Sequence, residues 1–346
     1  MSPRFAIISD LHLGVHQNST SWHKIAIDYA TWLNTKLKEQ DIANIMFCGD
    51  WFHHRDEISV TTIDVSSKIL EILKDYDITM IPGNHDCFLK DNAEINSLSI
   101  FKGHKNITIY DKLTTFTRWG KVISLVPWGV PITNIPDSDV VFGHFELVNF
   151  KMNNFKICDH GEDHRDLLKK SRMTFTGHFH LNQESTFENG KIIYTGNPFQ
   201  MDFGDAERNK LVYIYDISTN QYTTITNDIS PKHHVMKLSD LIEYDGLTDD
   251  VKRLFCGNVV KLFVDKHISP DELTFLSKKL TQLQPLNFSV EYEVNHDKIN
   301  FGVDRSKEFN SIDVASVIDE FINLLEIENK NEVSKYVNNL YKTCLN

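Results

Sequence analysis

Apolar positions in the first half of the chain come as short runs separated by longer stripes. Phe5 to Ser9 is a run of strand length, and Trp22 to Glu39 carries Ile25, Tyr29, Trp32, Leu33 and Leu37 at the spacing of one helix face. Ile45 to Cys48 reads as a second strand. Thr61 to Lys74 is helical, with Val65, Ile69, Ile72 and Leu73 as its stripe, and Thr79 to Pro82 is a third strand. This β-α-β-α-β order predicts crossover units and a mostly parallel sheet. Further strands are expected at Val122 to Val126, Val140 to Phe142, Met173 to Thr176, Ile192 to Tyr194 and Leu211 to Tyr215.

The pattern changes near Asn227 to His234. Beyond it, Val259 to Val264 and Phe288 to Val294 read as strands. Between them Ser269-Pro270-Asp271-Glu272 opens a helix, with Ser as N-cap, Pro at the first helical position and Glu at the third. Two amphipathic helices are expected at the end. One runs from about Ser311 to Leu325, with Ile312, Val314, Val317, Ile318, Phe321 and Leu325 apolar; the other from about Asn331 to Cys344, with Val333, Tyr336, Val337, Leu340 and Tyr341 at helical spacing. Three segments follow: residues 1–230 with the alternating elements, 231–300 as a small α/β module, and 301–346 as a helical tail.

A chain of 346 residues, 41% hydrophobic, has room for two domains and a sizeable core. The apolar run at the N-terminus, Phe5 to Ile8, is too short for a signal peptide, and no stretch reaches the roughly 18 to 20 apolar residues that span a bilayer. A soluble, cytoplasmic protein with no membrane partner is expected. The five cysteines are scattered and form no C-x-x-C, which excludes a zinc ribbon and argues against a disulfide scaffold. The net charge of −12 weighs against nucleic-acid binding, which runs on phosphate neutralisation. Two bound divalent cations would add about four positive charges that composition does not count, and a partner subunit could supply the rest.

The candidate chemistry lies directly after the strands. Asp10-Leu11-His12 follows the first, Gly49-Asp50 the second and Gly83-Asn84-His85-Asp86 the third; Gly143-His144 and Gly177-His178-Phe179-His180 follow two later ones. The carboxyl ends of strands in an open α/β sheet share one rim, so these five clusters are expected to meet. Carboxylate, amide oxygen and imidazole without thiolate suit Mn²⁺, Mg²⁺, Fe²⁺ or Zn²⁺ in a catalytic rather than structural site. Two ions about 3.5–4 Å apart can share a carboxylate, activate a water and neutralise charge on a phosphoryl group.

These motifs, all present and in order, resemble the calcineurin-like metallophosphoesterase family over roughly residues 5 to 200. The resemblance implies a two-sheet sandwich flanked by helices, in the α/β class, with a small α/β cap and a C-terminal helical tail. It implies two metal ions, most naturally Mn²⁺, the first held by Asp10, His12, Asp50 and His180 and the second by Asp50, Asn84, His144 and His178. Asp50 would bridge, and His85 would be catalytic without being a ligand. Within the family, the chain is most similar to the SbcD-type nuclease subunit of the double-strand-break repair and recombination complex, in a short phage-encoded form. Asp10-Leu11-His12-Leu13-Gly14, Gly49-Asp50-Trp51-Phe52-His53 with Arg55, and Gly196-Asn197-Pro198 carry that likeness. It implies Mn²⁺-dependent exonuclease and endonuclease activity on DNA, His53 in the exonuclease reaction, and residues 231–300 as a DNA cap. It also implies a homodimer through helices near residues 55 to 110, and a coiled-coil ABC-type ATPase docked on the tail through Ile318, Phe321, Val337 and Leu340.

Each assignment has a plainer alternative. Of the sixteen histidines, His54, His104, His160, His164, His233 and His234 lie outside the motifs and are expected to be solvated. Asp86 is expected to order its loop or to support His85 by accepting a hydrogen bond from it. His53 could simply anchor the loop after Asp50. Arg165, Lys169, Lys170 and Arg172 form either a DNA contact or a solvated helix face. Trp51, Phe52 and Phe179 are expected to pack beneath the site. A small-molecule phosphoesterase, acting on nucleotides or cyclic nucleotides, accounts for the metal motifs equally well and suits the acidic charge. A scaffold that has lost its chemistry is argued against, because every motif residue is in place.

Overall fold

The computed structural model describes residues 2–243, 248–292, 322 and 329–344. They belong to two compact units, Met1–Glu291 and Tyr292–Asn346.

The first unit begins with strand β1 (Arg4–Ile8), helix α1 (Thr20–Glu39), β2 (Asn44–Phe47), α2 (Val60–Ile72), β3 (Asp77–Met80) and β4 (Ile107–Ile109). β1 to β4 run parallel, as the crossover pattern predicts. Nearly every residue of β1 is buried, and the reason lies on its two faces. Ala6 and Ile8 join a core with Trp32, Leu33 and Ile69 of the helices. Phe5 and Ile7 join a second core with Phe142, Phe175 and Tyr215. A strand covered on both sides reads as a continuous apolar run rather than as an alternation.

That second core is the space between two sheets. The second sheet contains β5 (Thr114–Arg118), β6 (Lys121–Val126), β7 (Ser138–His144), β8 (Ser171–Gly177), β9 (Gln183–Phe187) and β10 (Gly190–Tyr194), in the order β5-β6-β7-β8-β10-β9. α3 (His164–Lys170) precedes β8, and its Leu167 packs on the outer face with Val141, Ile192 and Tyr194. The chain then returns to the first sheet through β11 (Lys210–Asp216) and β12 (Gln221–Asn227), completing the order β12-β11-β1-β2-β3-β4. Both sheets are mixed: β11, β12, β5 and β9 pair antiparallel at the edges. The result is the helix-flanked two-sheet sandwich that the family resemblance implies.

A third sheet, β13-β14-β15, follows. It is built from β13 (His233–Lys237), α4 (Leu238–Glu243), α5 (Asp249–Phe255), β14 (Val259–Val264), α6 (Pro270–Thr281) and β15 (Asn287–Tyr292). Its core is its own: Leu238, Val251, Phe255, Val260, Leu262 and Leu280 pack together. α6 carries the expected capping box, with Ser269 N donating to Glu272 Oε2 at 3.0 Å and Glu272 N donating to Ser269 Oγ at 3.3 Å. α4 and α5 were not expected from the pattern.

In the second unit α7 spans Lys330–Cys344. Val337 is half-buried and Tyr336 is exposed. Ile318, Phe321 and the side chain of Leu340 lie outside the described residues. Among the described residues no helix is long and apolar enough to cross a membrane.

Candidate metal centre

The turns that leave the parallel strands are tight and left-handed. Asp10, His12, Asp50 and His178 take positive φ of 55°, 46°, 61° and 94°, a conformation that non-glycine residues rarely adopt and that costs about 1–3 kcal/mol where it is strained. A Cβ on Gly83 would stand 2.2 Å from Asp50 Oδ1 and 2.7 Å from the His144 ring, so only glycine lets the third strand-end turn lie against the second. Asp86 locks that arrangement. Its buried carboxylate accepts hydrogen bonds from the backbone N–H of Asp50 (2.8 Å), Trp51 (3.0 Å), Phe52 (3.1 Å) and Gly83 (3.0 Å). It therefore orders the loop and makes no bond to the His85 side chain. Beneath, Trp51, Phe52 and Phe179 are buried, and the Trp51 indole donates to Ser66 Oγ at 2.9 Å.

All seven candidate ligands come together. Donor atoms of Asp10, His12 and His180 lie within 4.8 Å of one another, and so do those of Asp50, His144 and His178. Asp50 Oδ2 stands between the groups, 3.6 Å from His12 Nε2 and 3.4 Å from His144 Nε2. His12 Nε2 and His180 Nε2 are 3.1 Å apart. The Asn84 amide oxygen faces His144 Nε2 and His178 Nδ1, each at 2.9 Å, and Asp50 Oδ2 at 3.2 Å, while its nitrogen faces the Arg55 guanidinium at 3.0 Å. Hydrogen bonding alone favours the reversed amide. An amide oxygen turned toward two imidazole nitrogens and a carboxylate, with no donor but a ring N–H available, suits a cation at the shared focus. His144 Nδ1 is 2.7 Å from the Cys48 carbonyl; donating its proton there leaves Nε2 as a ligand atom. The donor set thus fits two divalent ions.

The electrostatics point the same way. Burial pushes Asp10 up to about 7 and Asp86 also up to about 7, with the charge of Asp50 adding to both. Burial works against charge on Asp50 too, but the imidazoles of His144, His12 and His85 outweigh it and hold that carboxyl far below its usual range. Burial lowers His144 as well, yet the carboxylates of Asp50 and Asp10 outweigh it and bring His144 up to about 9. Burial lowers His12, His178 and His180. Carboxylates buried this close together favour positive charge between them.

His85 and His53 stand beside this set. The backbone N–H of His85 donates to Asp50 Oδ1 at 2.7 Å, and the His85 ring Nδ1 is 2.7 Å from the His53 carbonyl. The two rings stack at 5.3 Å, and His85 meets His12 edge-on at 4.8 Å. With Nδ1–H given to a carbonyl, His85 has Nε2 left for chemistry. His53 Nδ1 is 3.4 Å from His12 Nδ1, and burial, with His85 nearby, lowers His53 to about 4.

Several residues behave otherwise than expected or went unnoticed. His233 is buried, not solvated: it stacks on Trp22 at 6.0 Å and meets Phe203 edge-on at 5.0 Å. Glu146 Oε1 approaches His178 Nε2 at 3.4 Å, on the side away from Asn84; its position two residues after His144 was the available signal. Lys210, buried, pairs with Asp205 at 2.8 Å and donates to the His180 carbonyl at 2.8 Å, which fixes that loop. In the basic cluster, Arg165 and Lys169 are paired with Asp163 and Asp166 near or on their own helix.

A helix-flanked sandwich with five strand-end motifs on one rim defines a metal-dependent phosphoesterase, and this chain belongs to the calcineurin-like phosphoesterase family, which it matches over residues 3–219. It is a hydrolase of a family that works with a binuclear metal centre. Exonuclease subunit 1 of Enterobacteria phage T4 is 26% identical over 351 residues, covering 96% of this chain and 97% of that one. Among solved structures, phosphopantetheinyl hydrolase of Mycobacterium tuberculosis shares 13% identity at a TM-score of 0.34, covering 57% of this chain and 90% of its own. A hypothetical protein of Pyrococcus horikoshii OT3 shares 13% at 0.35, covering 72% and 97%.

Proposed function

We propose that this chain is the nuclease subunit of a DNA-processing complex: a two-metal, Mn²⁺-dependent exonuclease and endonuclease acting in double-strand-break repair, recombination and DNA degradation. The observation that carries the reading is the extent of the similarity to the phage exonuclease subunit. It covers 96% of the chain, and so continues beyond residue 219, where the phosphoesterase match ends, into the third sheet and the tail. A phosphoesterase for small molecules has no evident need of those parts.

In this reading Asp10, His12, Asp50 and His180 would hold one ion, and Asp50, Asn84, His144 and His178 the other, with Asp50 shared. Bound there, the ions would supply an activated water and offset charge on the phosphoryl group. Attack on phosphorus breaks the bond to the leaving sugar oxygen, and His85 Nε2 delivers the proton that oxygen needs. His53 holds the His85 ring through its carbonyl and by stacking. Residues 1–230 would be the nuclease domain, 231–300 the DNA cap and 301–346 the partner-binding tail, where Val337 and Leu340 of α7, with Ile318 and Phe321, would meet a coiled-coil ABC-type ATPase. A homodimer finds support in the exposed apolar side chains of Val60 and Ile63 on α2 and of Phe88, Ile95 and Ile100 beyond it. The place of action would be the cytoplasm.

The test compares cleavage of linear duplex DNA with hydrolysis of nitrophenyl phosphodiester and monoester in Mn²⁺. It is run on the full chain and on a chain ending at residue 304, each with and without the ATPase. DNA cleavage that the partner stimulates only in the full chain is expected. Turnover of the small esters or of cyclic nucleotides without DNA cleavage would move the assignment to a small-molecule phosphoesterase, the reading that the net charge of −12 favours.

A further inference from the structure

Outside the seven-residue rim, a second group of ligand atoms is assembled around the hairpin that follows β7. Donor atoms of Glu146, Cys158 and His160 lie within 4.8 Å of one another. The backbone builds this group deliberately. Asn149 N donates to the Cys158 carbonyl and Cys158 N to the Phe150 carbonyl, both at 2.8 Å, so the hairpin returns beside its own start. Glu162 N then donates to the Glu146 carbonyl at 2.9 Å. Gly161, at φ 95°, permits the approach: a Cβ there would stand 2.4 Å from the Glu146 carbonyl oxygen. Cys158 is fully buried, with Sγ 3.0 Å from the His160 carbonyl oxygen and 4.0 Å from His160 Nδ1. His160 Nε2 is 3.2 Å from Glu146 Oε1, and Asp159 Oδ1 is 2.8 Å from His160 Nδ1. The histidine side chain is 53% exposed, so the group opens to solvent on one side.

We propose that Glu146, Cys158 and His160 form a third cation site, separate from the binuclear centre and selective for a thiophilic divalent ion such as Zn²⁺. The rim offers only oxygen and nitrogen, whereas this group adds a thiolate, the ligand that distinguishes zinc from manganese and magnesium. Zinc with bonds of about 2.0–2.3 Å holds tetrahedral ligand atoms roughly 3.3–3.8 Å apart, so a modest contraction of the present cluster suffices, with water in the fourth position. On binding, the Cys158 thiol gives its proton to solvent and the sulfur takes the ion. Glu146 Oε1 is shared, since it also faces His178 Nε2 at 3.4 Å. An ion here therefore draws that carboxylate away from a proposed ligand of the second catalytic ion, and links thiophilic metal to the grip of the main site.

The test is titration of the metal-free full chain with Co²⁺, read by absorption. Thiolate–cobalt charge transfer in the near ultraviolet can arise only from a cysteine ligand, and the rim has none. A band that saturates with one ion beyond those taken by the rim is expected. It should vanish in Cys158→Ser, remain in Cys256→Ser (exposed, unlike Cys48, Cys87 and Cys158), and need about tenfold or more Co²⁺ in His160→Ala. His160 is half-exposed, so its variant carries the test even if Cys158→Ser fails to fold by circular dichroism. Absence of the band in the native chain, its persistence in Cys158→Ser, or an unchanged titration of His160→Ala overturns the site.

Discussion

The rim of the sandwich and the third sheet meet different demands with different residues. At the rim Asp10, His12, Asp50, Asn84, Asp86 and His144 are all buried, and Asp10, His12 and Asp50 also hold left-handed backbone. In the core of the third sheet the buried side chains are Leu, Val, Phe and Met, and the polar groups sit at helix starts such as Thr248 and Ser269. Buried polar clusters and strained turns oppose folding unless something else compensates; an apolar core with capped helices follows the ordinary rules of stability. The comparison separates what the chain spends on chemistry from what it spends on staying folded. Substitutions at the rim should act on the turnover of any phosphoester, and those in the core of the third sheet on stability and not on the hydrolysis of a small ester.

The largest effect is expected for Asp50→Ala. One carboxylate lies between both ligand groups, so its removal should abolish hydrolysis and cost at least one of two ions in calorimetric titration with Mn²⁺. Two intact sites would contradict the bridging role. His85→Gln should lower turnover by about 10²- to 10⁴-fold while anomalous scattering at the manganese edge still finds two ions. Robust turnover would remove His85 from the reaction.

At the junction of the two regions His233, the first residue of β13, stacks on Trp22 of α1. Burial lowers it to about 4, below its unfolded value of about 6.5. The folded state therefore refuses the proton. The stability this confers is complete above pH 6.5 and is lost as pH falls from 6.5 toward 4, on the order of 3 kcal/mol in all. His233→Phe should flatten that part of the pH–stability curve measured by denaturant unfolding; an identical slope would show that other groups carry it. The smallest effect belongs to Ser269→Ala. Loss of the α6 cap should cost about 1 kcal/mol with no change in the hydrolysis of a nitrophenyl phosphodiester, and a change in that turnover would break the division between the regions.

The central strands and long helices were legible in the sequence because they are covered on both faces or carry long stripes: β1 and α1 lie within a few residues of their expected limits. Edge strands were not. β9 (Gln-Glu-Ser-Thr-Phe) and β12 (Gln-Tyr-Thr-Thr-Ile-Thr-Asn) have one solvated face and are held by pairing with β10 and β11, which a local pattern cannot show. α4 and α5, at six and seven residues, are too short to display a stripe. The rim was legible because each motif follows a strand, and strand ends of parallel units converge. Glu146 and the burial of His233 depend on which distant loops and rings lie opposite, and no spacing along the chain encodes that.

The rim draws on both halves of the sandwich. Asp10, Asp50 and Asn84 follow β1, β2 and β3 of one sheet, whereas His144, His178 and His180 end or follow β7 and β8 of the other. Ions held jointly by these residues would act as rivets across the seam. By mass action each adds RT ln(1 + [L]/Kd) to the folded state, about 2.7 kcal/mol when the free ion is a hundredfold above its dissociation constant. The working lifetime of the enzyme would then depend on metal supply as its turnover does. Under scarcity or chelation the seam would lose its fasteners, and proteolysis should begin with the molecules that can no longer catalyse.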